Sequence, residues 1–158
     1  MSDEAISKHR EWLNLIKEVY ERHHSKGAFQ ILFPEYRPDL SLALADFLDL
    51  KFFDYRERAM LSEGWNAGNI NLDSMTKTLM NESRKSGLVI HNTEALLCTK
   101  SQHERRQWLA EFFSIDWPNV IILPITIYQA DTIEDHPRIC DIELIQFPRQ
   151  SFLMQLAL

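Results

Sequence analysis

Four residues have the spacing of a metal site: Cys98-x4-His103 and His136-x3-Cys140 make a two-cysteine, two-histidine set. Thiolate and imidazole are the donors tetrahedral zinc takes, and both pairs follow strand ends that the fold could bring together. The spacing permits zinc without requiring it; small buried thiols and surface imidazoles are the plainer assignment. Ser41, His91 and Asp54 offer a nucleophile, a base and an orienting carboxylate. No nucleophile elbow or oxyanion loop surrounds Ser41, and a serine early in a helix ordinarily caps it or faces solvent. Asp54, Glu57, Glu94, Asp131, Glu134, Asp135 and Asp141 stand near strand ends and could supply a two-metal nuclease centre. No acid-then-E-x-K spacing follows a strand, so a solvated acidic face is the expectation. Arg84-Lys85 and Lys100 with Arg105-Arg106 are the only basic groupings read here. Such short helix-surface clusters serve solubility, or touch a nucleic acid that a partner holds.

The elements that must position these groups follow from hydrophobic period. Residues 3–24 repeat apolar positions at three and four, from Ile6 through Trp12, Leu13 and Ile16 to Val19, and read as an amphipathic helix ended by Gly27. Residues 28–33 (AFQILF) read as a strand, 34–38 as a turn, and 39–50 as a helix with Asp39 as N-cap. Residues 51–54 (KFFD) are a second strand, and 56–71, with two glycines, a mobile or irregular connection. A helix from about Asp73 ends before Gly87, and 87–91 (GLVIH) is a strand buried on both faces. Residues 101–114 form a helix, 120–127 (VIILPITI) a fourth strand and 142–147 (IELIQF) a fifth. Strands alternating with helices imply βαβ units: an α/β three-layer sandwich on a mostly parallel five-strand sheet.

Composition bounds the function. The 158 residues, 45% hydrophobic and 25% charged with formal net charge −6, suit one packed core. That core spans 27–147, with an N-terminal helix in 1–26 and an apolar tail in 148–158. Net acidity argues against a protein that grips nucleic acid unaided. Two cysteines and a start without a charged-then-apolar leader (MSDEAISKHREW) point to a reducing, cytoplasmic setting. The longest apolar runs are too short to cross a bilayer. At about 7% glycine a chain of this length would carry roughly eleven; this one has 4, none of them between residues 28 and 63.

That gap falls where a strand–loop–helix unit would need glycine. Laying G-x-x-x-x-G-K-[ST] on residues 34–41 puts Pro34 and Asp39 at the glycines, Leu40 at the lysine and Ser41 at the hydroxyl. The third strand, GLVIHNTEALL, resembles a Walker B segment with His91 and Asn92 at the acidic places and Glu94 two residues on; VIILPIT resembles the next strand of an AAA-type core, with Thr126 at its polar sensor position. Residues 28–147 thus resemble a degenerate P-loop NTPase core of AAA-like type, without a helical lid. Within it the layout is similar to the BrxF family, the small P-loop proteins of type 3 BREX phage-defence systems, through His91-Asn92-Thr93-Glu94-Ala95-Leu96 and the stretch from His136-Pro137 to Glu143. The resemblance implies a scaffold that has lost its nucleotide chemistry and needs no cofactor: proline offers no N–H to a phosphate, and Leu40 offers no cation.

The implied role is a non-catalytic subunit or adaptor acting on protein subunits of a larger complex, with nucleic acid touched only indirectly and no membrane. Four tryptophans exceed the apparent needs of a five-strand core; Trp108 with Phe112 and Phe113 reads as core, whereas Trp65 between Gly64 and Gly68, and Phe152, Leu153, Met154 and Leu156 of the tail, suit a partner surface. For the tail, packing back as a strand or helical turn is the alternative. The rival reading is an enzyme using the same cleft, centred on Ser41, His91 and Glu94, for metal-dependent or hydrolytic chemistry on nucleic acid or small esters. A third is a homo-oligomer assembled through the N-terminal helix.

Overall fold

The strand made first lies inside the sheet, with neighbours on both sides. In the computed structural model, which describes residues 10–148, β1 (Ala28–Leu32) pairs along its whole length with β4 (Ile121–Ile125), and on its other side with β5 (Ile139–Asp141). β2 (Lys51–Asp54) and β3 (Leu88–His91) complete an all-parallel sheet of order β2-β3-β4-β1-β5. The protein is therefore α/β, with helices α1 (Glu11–Arg22), α2 (Pro38–Leu48), α3 (Leu72–Ser83), α4 (Glu94–Leu97) and α5 (Gln102–Glu111).

The alternation of β1 sorts the core in two. Phe29, Ile31 and Phe33 pack with Trp12, Leu13 and Ile16 of α1 and with Leu40 and Leu44 of α2. Ala28 belongs to the other cluster, with Met75 and Leu79 of α3 and Trp108 and Leu109 of α5. Between Ala28 and Leu32, the buried Gln30 is tied to that second cluster by Nε2 donating to the Leu109 carbonyl (3.0 Å). Trp12, Trp108 and Trp117 are all buried, so the tryptophan surplus is largely core. Much of the apolar face of α1 is likewise packed inside the chain, where Trp12 meets Phe33 edge-on at 5.9 Å; residues 3–9 of the expected helix lie outside the described residues.

Pro124 shapes the carboxyl edge. The Ile121 N–H donates to the Gly27 carbonyl beside β1, and Leu88 donates to the Val120 carbonyl from the β3 side. Strand alternation then points the nitrogens of residues 122 and 124 at β3. Proline has no N–H to give, which is why it is rare in a central strand. Pairing of β3 with β4 covers only Leu88↔Ile121 and Val89↔Ile122, although both strands run further. β1 and β4 stay joined, Phe33 donating to the Ile125 carbonyl (2.9 Å).

Several sequence expectations shift. α1 stops at Arg22, capped through His23; His24 and Ser25 take left-handed φ, and Gly27 (φ 80°) turns the chain into β1 rather than closing the helix. Asp39 is not the N-cap: Pro38 opens α2, and Asp39 lies in its first turn. Residues 56–69 are ordered turns, a π-helical turn over Arg56–Met60 and 3₁₀ turns over Leu61–Asn69 broken at Gly64. α4 went unread because it is one short turn. The fifth strand is Ile139–Asp141, not 142–147; after Ile142 donates to the Leu32 carbonyl the chain turns, leaving Leu144 and Ile145 exposed.

α5 opens on a reciprocal cap: Ser101 Oγ accepts from the Glu104 N–H (3.2 Å) and donates to the Glu104 carboxylate (3.1 Å). Ser101→Ala is expected to lower unfolding free energy by about 1 kcal/mol, read as a lower urea midpoint with an unchanged slope.

Candidate functional site

Where β3 and β4 part, a cleft of about 240 Å³ opens, with Pro124 in its wall. It lies beyond the carboxyl ends of β1, β3 and β4, the edge at which open α/β sheets bind ligands. Five of the positions singled out in the sequence line it: Ser41, His91, Asn92, Glu94 and Thr126, joined by Cys98. Leu40 does not; it is fully buried among α1 and α2. Pro34 and Asp39 are also off the wall. Trp65 is fully exposed on the 3₁₀ segment, and Phe152, Leu153, Met154 and Leu156 lie outside the described residues.

Tyr36 and Arg37, which the turn-like PEYRP stretch conceals as mere loop, complete the lining. Tyr36 Oη donates to Asn92 Oδ1 (2.9 Å) and so accepts from His91 Nε2 (3.0 Å), which places the imidazole proton on Nε2. Asn92 Nδ2 in turn donates to both oxygens of Asp54 (3.1 and 3.2 Å). His91 is stacked between Tyr36 (5.5 Å) and Phe52 (5.4 Å). Asn92 holds φ 63°, a conformation asparagine tolerates better than most side chains. The imagined Ser41–His91–Asp54 triad is thus not assembled: Asn92, not His91, takes Asp54. Burial pushes the His91 pKa down, and the Asp54 carboxylate only partly restores it.

Glu94 is the acid of the cleft, and its charge is already used. Oε1 accepts from the Thr126 N–H (2.8 Å), and Oε2 from those of Ile127 (2.7 Å) and Tyr128 (2.9 Å). Three successive backbone donors form a concavity of the kind that holds anions, filled here by a side chain of the same chain. The carboxylate tethers the end of β4 to the start of α4 and has little capacity left to orient water or a cation. Arg37, the cleft's cation, is similarly engaged: its guanidinium grips Asp39 through two bonds (2.9 and 2.8 Å) and donates to the Pro148 carbonyl (2.7 Å).

The zinc set is not brought together. β5 sits on the far side of β1, so β4 and β1 stand between Cys140 and the end of β3 that leads to Cys98. Cys140 is buried, its thiol pushed up to about 11 by that burial despite the charge of Arg22. Cys98 and His103 are exposed, and His136 stacks on Phe113 with ring centres 3.8 Å apart. Among the described residues no three His, Cys, Asp or Glu side chains converge to hold a metal ion. Of the acidic face, Asp131 is buried and takes Arg105 (2.8 Å) and Arg106 (3.3 Å). Burial alone would raise its pKa, but the bonds and charge from Arg105, with Gln102 and Arg106, outweigh it and hold the carboxyl low. The Arg105-Arg106 pair is therefore structural rather than a free basic cluster.

No family model, curated protein or solved structure matches the chain. Among the described residues, no helix is long and apolar enough to cross a membrane.

Two consequences are measurable. Glu94→Gln turns an amide NH2 toward a backbone donor and should cost about 2 kcal/mol, the scale of a charged hydrogen bond lost in a partly buried place, read by chemical denaturation. Because the folded His91 pKa lies below its ordinary value of 6.5, the unfolded chain binds more protons between those two values. Stability is full above about pH 6.5 and falls as the pH drops through that window. His91→Gln should flatten the slope of unfolding free energy between about pH 7 and 5, the remainder belonging partly to His136, whose pKa is also lowered, first by burial and then by Arg138 and His23.

Proposed function

We propose that the chain is a non-catalytic subunit or adaptor in a bacterial multi-protein assembly, on a degenerate P-loop, AAA-like core with the three-layer arrangement of such folds. Its work is protein–protein interaction, as the resemblance to the small P-loop proteins of BREX phage defence suggests. The observation that carries this reading is the engagement of Glu94 by three backbone N–H groups, which removes the carboxylate a nucleotide-hydrolysing cleft would need for magnesium and water. Leu40 adds to it, sitting inside the core where that chemistry needs a cation at the phosphates. The all-parallel sheet and the two hydrophobic clusters support the fold assignment.

Trp65 is the anchor for a partner. Its relative exposure is 102%, it follows Gly64 at φ 55°, and Leu61 on the same segment is also exposed. A large aromatic held out on an ordered turn loses little entropy when a pocket closes on it, and tryptophan dominates such contacts. The second reading, an enzyme in the same cleft, has the proximity of Ser41 and His91 in its favour.

Calorimetric titration of ATP with magnesium separates the two readings. The adaptor reading expects no saturable heat, and micromolar binding, or a turnover lost in Ser41→Ala, would sink it. Trp65→Ala should leave the melting temperature within the scatter of surface substitutions. It should weaken a partner isolated with the wild-type chain by about 2 kcal/mol, roughly thirtyfold in Kd.

A further inference from the structure

The amino edge of the sheet carries a cationic cluster that the sequence separates and the fold gathers. Arg22 and His23 end α1, Lys26 precedes β1, and His136 and Arg138 lead into β5, the neighbour of β1. Arg138 Nη1 donates to the Lys26 carbonyl, and its guanidinium lies so close to Gly27 that a Cβ there would sit 3.1 Å from Nη1. The same guanidinium covers the Phe29 ring at 4.8 Å, while the His23 ring approaches that phenylalanine at 6.1 Å. The Arg138 N–H donates to His136 Nδ1 (3.1 Å), and Arg22 is near enough to act on Cys140 of β5.

Among the described residues these charges have no ion-pair partner. Ion pairs elsewhere hold Lys17 with Glu21, Arg37 with Asp39, Lys51 and Lys85 with Glu82, and Arg105 and Arg106 with Asp131; the cations left outside them, such as Lys77, are scattered along the chain, whereas these lie together. Among the described residues no carboxylate comes within ion-pair distance of Arg22, Lys26 or Arg138. On α1, Glu21 is drawn to Lys17, and Glu18, one turn before Arg22, makes no ion pair with it. The charged groups acting on His136 are Arg138 and His23, both basic. In a chain of net charge −6, such a concentration is held against mutual repulsion. It is also held on strained backbone, with left-handed φ at His24 and Ser25.

We infer that this edge is a binding site for phosphate groups, formed by Arg22, Lys26 and Arg138 with His23 and His136. Arg138 is the preorganised fork, fixed by a carbonyl and an aromatic face. Arg22 and Lys26 are exposed and free to close on the anion. The site lies at the opposite end of the strands from the cleft and is independent of the adaptor reading. The phosphates can come from a nucleic-acid backbone or from a free polyphosphate, and the two sources are separable.

The test uses the full chain at low salt, with a fluorescein-labelled oligonucleotide of about 20 nucleotides followed by anisotropy, and inorganic pyrophosphate followed by calorimetry. Arg22→Glu and Lys26→Glu should each weaken binding about tenfold or more, and the oligonucleotide affinity should fall linearly on a log scale with salt. Lys77→Glu, an exposed control on α3, should do neither. Binding of the oligonucleotide assigns the site to nucleic acid, and binding of pyrophosphate alone assigns it to the free anion. The proposal is overturned if neither probe binds, or if both charge reversals bind as the wild type does. A shift in melting temperature without a change in binding would also overturn it, since the cations would then merely offset the carboxyl end of α1.

Discussion

A proline that cannot donate sets the carboxyl edge of this sheet. Pro124 stands in the middle of the sheet, where β4 should give an N–H to β3, and at that point the ladder between the two strands has already ended. Burying an unmet carbonyl opposite it would be costly. Parting the strands instead leaves those groups at an opening, and the opening is the cleft. β4 remains in register with β1 throughout, so the divergence is one-sided and the rest of the sheet is undisturbed.

What fills the edges of that opening is spent on structure. The Glu94 carboxylate closes the three amides that follow β4, Arg37 is clamped by Asp39, and the proton chain from His91 through Tyr36 and Asn92 runs to Asp54. Each bond removes a group from service as acid, base or ligand while stiffening the rim. A rigid rim with its polar groups already satisfied is what the adaptor role proposed above asks of this edge. The amino edge is built the opposite way, with charges gathered and, among the described residues, no ion-pair partner for them.

The strands were legible wherever a short apolar run stood alone. AFQILF, KFFD, GLVIH and VIILPITI each carry their own burial signal, and four strands fall within a residue or two of the expected bounds. The fifth failed because IELIQF alternates as well as any edge strand, whereas ICD is chosen by register against Gln30–Leu32. Ser41, His91, Asn92, Glu94 and Thr126 could be grouped from sequence through the places they take in the P-loop resemblance, which sets them all at the carboxyl edge. Tyr36 and Arg37 could not, since their roles depend on partners over fifty residues away in one case and beyond β5 in the other. The zinc set and the amino-edge cluster err in opposite senses for one reason: both depend on where β5 inserts, and nothing local in the chain says that it docks beside β1.

The placement of β1 also bears on how the chain acquires its shape. Its apolar strand leaves the ribosome before either partner exists, since β4 and β5 follow only after three helical crossovers and the turn segments between them. Until then the strand presents two open edges, the condition under which a nascent chain pairs with the wrong neighbour. β2 and β3, joined by a single crossover, can pair earlier, but they cannot shelter β1, because β4 must be threaded between them and it. A parallel sheet whose first strand must wait for its fourth and fifth closes through long-range pairings, which are the slow ones to form.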